Sequence, residues 1–110
     1  MTIDARITAA MSPIAPTAAG EYTGDSDTYI TFNYNSIPAD FGDDEPGHEV
    51  FAVQVHLFCP AGVNSFELRQ KIKAAIRWAG FSYPSCVDAS DKDGQHHVFE
   101  CELAAFLEVD

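Results

Sequence analysis

Bases are scarce in this sequence: 6 Lys and Arg stand against 17 Asp and Glu, a formal net charge of -11 over 110 residues. Gripping a nucleic-acid backbone requires cations that neutralise phosphates, so charge argues against that class of function. Cysteine is scarce too. Cys59, Cys86 and Cys101 are an odd set without CxxC spacing, as expected of reduced thiols in an intracellular chain. No apolar run approaches the roughly 20 residues of a membrane span. The opening MTIDARITAAM lacks the charge and cleavage pattern of a signal peptide. There is no phosphate loop, no nucleophile elbow and no HExxH motif. The expectation is one non-enzymatic domain over residues 1–110, with no catalytic residue, cofactor, metal or membrane contact.

What is present is organised around residues 29–60. Two apolar-alternating runs, 29–37 and 49–59, flank a loop rich in Pro, Gly and Asp, the pattern of a long β-hairpin over 29–59. In the second run Phe51, Val53, Val55, Leu57 and Cys59 share one face, and Val50, Ala52, Gln54, His56 and Phe58 share the other. A ribbon of about 37 Å is long for a small domain, so one end is expected to project. The loop between the runs carries Asp40, Asp43, Asp44 and Glu45.

Residues 1–12 read as a short helix capped by Thr2, with Ile3, Ile7 and Met11 as its stripe and Pro13 as its stop. Residues 13–28 read as a connector with a short strand at Ile14 and Ala15. Residues 64–79 carry the main helix, about 65–79. Asn64 and Glu67 are spaced as a capping box, Val63 and Leu68 as a staple, and Gly80 sits where a left-handed residue ends a helix. Leu68, Ile72, Ala75, Ile76 and Ala79 line one face, so this helix should lie on the sheet. Arg69, Lys73 and Arg77 form a basic row with Phe66 beside it, and Lys71 lies on the other flank; these are four of the six bases. Residues 81–107 read as a second hairpin turning at Asp93-Gly94. Matching the apolar faces requires a three-residue connection with Gly94 left-handed, Val87 facing Phe99 and Ala89 facing His97. That register leaves no Cys86–Cys101 bond. The fold class is α+β: a small antiparallel or mixed sheet with a long hairpin and two helices packed on it.

Three clusters invite a chemical reading. His96-His97 with Asp88, Asp91 and Asp93 could suggest a metal, but adjacent strand residues point to opposite faces. Asp43, Asp44 and Glu45 lack the spacing of an EF-hand loop. His56, beside Gln54, reads as a half-buried structural histidine, and Cys59 as a core thiol.

The segments YITFNYNSIPADFGDDEP, EVFAVQVHLFCP, KIKAAIRWAGF and HVFECEL together resemble the small tail-completion, or tail-terminator, proteins of siphophages and prophages. The resemblance runs from about residue 13 to 103 and contains no catalytic motif. It implies an α+β fold and a hexameric ring that caps the tail tube and joins it to the head connector, with no cofactor and no reaction. The implied partners are further copies of the chain, the tail tube protein and the connector; the implied location is the virion, after assembly in the host cytoplasm. An acidic chain suits a ring through which DNA passes without specific binding. From the residues themselves, Asp40, Asp43, Asp44 and Glu45 of one subunit are expected to meet Phe66, Arg69, Lys73 and Arg77 of the next. A head-completion or neck adaptor, and a stand-alone non-enzymatic binding module, remain the alternatives.

Overall fold

The computed structural model describes residues 2–42 and 45–106, and the side chains of residues 2–37 and 50–103. In chain order it contains α1 (Ile3–Met11), β1 (Thr17–Ala19), β2 (Tyr29–Gly42), β3 (Glu45–Cys59), α2 (Phe66–Trp78), β4 (Ser85–Asp88) and β5 (Gln95–Phe106). The strands form one mixed sheet in the order β1-β2-β3-β5-β4, with β1 parallel to β2 and the other pairs antiparallel. This is the expected α+β fold.

Alternation along β3 decides which face is covered. Val53, Val55, Leu57 and Cys59 are buried with Ile30 and Phe32 of β2 and Phe99, Cys101 and Leu103 of β5. Ile7 and Met11 of α1 and Ile72 and Ile76 of α2 complete the same core. Both helices therefore lie on one face, and Ile72 is 0% exposed at their contact with the sheet. Burial of each large aliphatic side chain contributes about 1.5–3 kcal/mol. The β2–β3 pairing runs from Tyr29↔Phe58 to Ala39↔His48 and again at Phe41↔Pro46 and Gly42↔Glu45. β5 follows β3 as far as His48↔Phe106, so among the described residues β2 and β3 continue beyond it toward the tip. The molecule is correspondingly long, 54 × 23 × 23 Å.

The helix ends follow local chemistry. Thr2 Oγ1 accepts from the Ala5 N–H at 3.1 Å and caps α1. At the end of α2, Gly80 has φ 95°. Its N–H donates to Arg77 O at 3.0 Å and that of Phe81 to Ile76 O at 3.2 Å, the paired bonds of a Schellman ending. The expected Asn64 cap is shifted by one. Ser65 is the N-cap residue and makes no side-chain capping bond, while Asn64 Oδ1 accepts from Phe66 N–H at 3.1 Å.

Three further expectations are corrected. The stretch read as a loop between the two runs is mostly strand: β2 runs on to Gly42 and β3 begins at Glu45, so Asp40 and Glu45 lie on strands. Ile14 and Ala15 are not a strand: their N–H groups donate to Met11 O, which winds them into the turn that closes α1. The strand lies two residues on, at Thr17–Ala19. The terminal hairpin is not bulged at Gly94. Lys92 and Asp93 form a plain two-residue loop, and Asp91 and Gly94 exchange backbone bonds at 3.1 and 3.3 Å. Cys86 then faces Phe99, Val87 faces Val98 and Asp88 faces His97. All four residues of β4 are exposed, so no buried face selected its register. Turn chemistry selected it instead. Asp91 Oδ1 accepts from Asp93 N–H at 2.8 Å, and Gly94, at φ +155°, passes so close to Cys59 O that an added Cβ would lie 3.0 Å from it. Cys59, Cys86 and Cys101 are all free thiols.

Candidate interaction surface

The solvent face of α2 divides the basic row in two. At its start, Arg69 lies over the Phe66 ring, 5.8 Å from the centroid. Arg69 is also turned inward, with Nε donating to Ser65 Oγ at 3.1 Å. At the other end, Lys73 and Arg77 line an open hollow of 550 Å³ with Gln70, Ala74, Trp78 and Tyr83. Arg77 lies over the Tyr83 ring at 5.5 Å. Lys71 points elsewhere and pairs with Glu67 at 3.8 Å.

Trp78 is 90% exposed, Tyr83 64% and Phe66 58%. Large aromatics that exposed, next to cations, have the composition of an interface anchor. Trp78 was missed in the sequence reading although its signal was there. It lies off the Leu68–Ile72–Ile76 stripe, so a helix at this place could only present it to water. Of the predicted interface residues, the structure brings Phe66 and Arg69 together, and Lys73 and Arg77 together. Asp40 and Glu45 lie on the final paired stretch of the ribbon, at the end of β2 and the start of β3. Asp43 and Asp44 lie outside the described residues.

Beneath the start of α2 sits a polar clasp. Ser65 Oγ donates to Gln95 Oε1 at 2.7 Å and stands 3.3 Å from His97 Nε2. His97 Nδ1 stands 4.0 Å from Asp88 Oδ1. Serine, histidine and aspartate in this order outline a nucleophilic triad, but the details tie them to structure. Ser65 is 2% exposed, its one hydrogen goes to Gln95, and Arg69 Nε donates to the same oxygen. Gln95 Nε2 also donates to Pro60 O and Val63 O, at 3.0 and 2.6 Å. The group therefore latches the 60–65 loop and the start of α2 onto β5, which is why Ser65 is not free to cap its helix. Burial holds the His97 imidazole below its ordinary pKa; Asp88 opposes that, and Arg69 and His96 add to it. Hydrogen bonds from Ser90 hold the Asp88 carboxyl below the usual carboxylate range.

The opposite sheet face has no helix over it among the described residues. A row of rings crosses it: Tyr22 on Tyr29 at 4.4 Å, Tyr29 on Phe58 at 4.9 Å and Phe58 on His96 at 4.3 Å. His96 and His97 face opposite sides of β5, as alternation requires.

No family model matches the chain, and no curated protein does. Among solved structures, one whose title is only a sequence identifier superposes with a TM-score of 0.64 at 12% identity, covering 98% of this chain and 96% of that one. At that identity the likeness shows a shared fold.

Proposed function

We propose that this chain is a structural virion protein of a tailed phage or prophage, forming a ring that completes the tail tube and joins it to the head connector. The observation that carries the reading is the separation of two complementary surfaces. A paired ribbon leads to a segment bearing Asp40, Asp43, Asp44 and Glu45, while Lys73 and Arg77 are grouped with exposed Trp78 and Tyr83 on α2. Complementary patches on different elements make a head-to-tail contact, which closes into a ring when the rotation permits.

The resemblance to tail-completion proteins along residues 13–103 supplies the ring, its hexameric count and its place in the virion. It also supplies the partners, a tail tube protein and a connector protein. The proposed role needs no reaction and no cofactor. An acidic wall suits a lumen that DNA must traverse without adhering. Within the interface, Lys73 and Arg77 receive the acidic segment, and Arg69 serves the clasp beneath α2 instead. Exposed ion pairs of this kind contribute about 0–1 kcal/mol each, so they set register, and the aromatics supply most of the adhesion.

The test is mass by light scattering over a range of concentrations, with electron microscopy of the chain added to uncapped tail tubes. Rings on tube ends, or a concentration-dependent hexamer, are the expected result. A chain that stays monomeric at all concentrations and leaves tube ends bare would refute the proposal.

A further inference from the structure

Two histidines 40 positions apart in the chain meet on the open sheet face. His56 Nδ1 lies 2.9 Å from His96 Nε2. They occupy adjacent strands on a diagonal, since His56 faces Val98 and Phe58 faces His96. Each ring is held from a second side. Asn33 Oδ1 accepts from His56 Nε2 at 2.8 Å, and Asn33 Nδ2 in turn donates to Gln54 Oε1 at 3.3 Å. This amide orientation places the His56 hydrogen on Nε2 and leaves the Nδ1 lone pair directed at His96. A carbonyl oxygen behind the non-ligating nitrogen is the usual support of a metal-binding histidine. His96 is held by stacking on Phe58, with planes 18° apart.

We propose that His56 and His96 form a two-imidazole site for a first-row transition-metal dication that favours tetragonal coordination, Cu(II) or Ni(II), with water in the remaining positions. Imidazole donors with water in the remaining positions suit these ions, which stand at the top of the divalent affinity order. In the free chain the 2.9 Å separation is an N–H···N hydrogen bond, His96 Nε2 donating to His56 Nδ1. Neighbouring ligands of a tetragonal ion with metal–nitrogen bonds of about 2.0–2.1 Å also stand about 2.9 Å apart, so the pair can exchange that hydrogen for a metal with little change of spacing. When the ion binds, a neutral His96 carries its hydrogen on Nδ1 and turns the Nε2 lone pair outward; a protonated His96 releases one proton to solvent.

The surroundings favour a cation. Asp27, Asp91 and Asp93 line a 480 Å³ hollow beside His96. Glu100 shares the open face, opposite Gln54 and two pairs along from Val98. No base lines that hollow, or the neighbouring one formed by Asn33, Gln54 and Glu100. Among the described residues no set of three or more His, Cys, Asp or Glu is placed to hold an ion, so the protein supplies two donors and the acids act through their field. The site does not depend on ring formation.

The experiment adds Cu(II) or Ni(II) salts to the full chain near neutral pH. One ion should bind per chain, with two nitrogens in the equatorial plane of the Cu(II) electron paramagnetic resonance spectrum. Copper should broaden the nuclear magnetic resonance signals of residues around positions 56 and 96 first. His56→Gln or His96→Gln should abolish this binding, Asn33→Ala should weaken it by about 10- to 100-fold, and His48→Gln should leave it unchanged. Failure of the parent chain to bind, uptake that survives His56→Gln, or broadening centred elsewhere would overturn the assignment. The broadening arm uses the unaltered chain, so its outcome does not depend on whether a variant folds.

Discussion

Single side chains set how this protein responds to acid and to thiol reagents. His56 and His97 both have folded-state pKa values below the unfolded value of 6.5. As pH falls through that region, the unfolded chain takes up protons that the folded chain refuses. The stability these rings contribute is complete above 6.5 and is lost as pH falls through the lowered folded values. The melting temperature should therefore drop on acidification below 6.5, and His97→Gln should flatten that slope whatever it does to stability at neutral pH. A slope identical to the parent's would show that His97 is not one of the groups responsible. Cysteine reactivity should be similarly divided. Burial raises Cys59, and burial together with Glu102 pushes Cys101 up to about 11, whereas Cys86 is exposed. An aromatic disulfide reagent should label one thiol quickly and the other two only as the domain opens. Cys86→Ser should remove the fast phase.

Among the elements, α2 was the most legible from sequence. Ile72 and Ile76 are buried where the stripe placed them, and Gly80 ends the helix as its position implied. Ile72→Asp places an unpaired charge against the sheet and should unfold the domain, while Ile72→Ala should cost about 2–5 kcal/mol by chemical denaturation. A folded Ile72→Asp chain with parent stability would contradict the packing described. The 49–59 part of β3 was equally legible, because it is central and has one buried face; its start at Glu45 fell in the stretch read as loop. β4 was not, because an edge strand exposed on both sides has no pattern to read, and the Asp91–Gly94 turn set its register. Gly94→Ala should consequently destabilise the hairpin by about 1–3 kcal/mol, through a strained φ and the approach to Cys59 O. Equal stability of that variant, measured by denaturation, would argue against the turn as described. The clasp of Ser65, Gln95 and His97 and the meeting of His56 with His96 were illegible for another reason. Each joins residues at least 30 positions apart, and local periodicity carries no information about such meetings.

At the scale of the whole molecule, four of the six bases sit on α2 while most of the acids are spread over strands and loops. Lys73→Glu with Arg77→Glu should prevent ring formation or tail capping, and Asp43→Lys with Asp44→Lys on the same background should partly restore it. Trp78→Ala should weaken assembly by about 2 kcal/mol or more, with little loss of monomer stability because the indole is 90% exposed. Reversed chains that cap tails as the parent does would rule this interface out. The strand order has a consequence for biosynthesis. β3 lies at the centre of the sheet, yet its second neighbour, β5, follows it in the chain only after α2 and β4. A ribosome that has produced β2, β3 and α2 therefore holds out a long apolar strand with one open edge, the kind of surface that recruits other chains. Truncation anywhere between α2 and β5 should yield inclusion bodies instead of a weakened domain, and the protein passes through that vulnerable stage each time it is made.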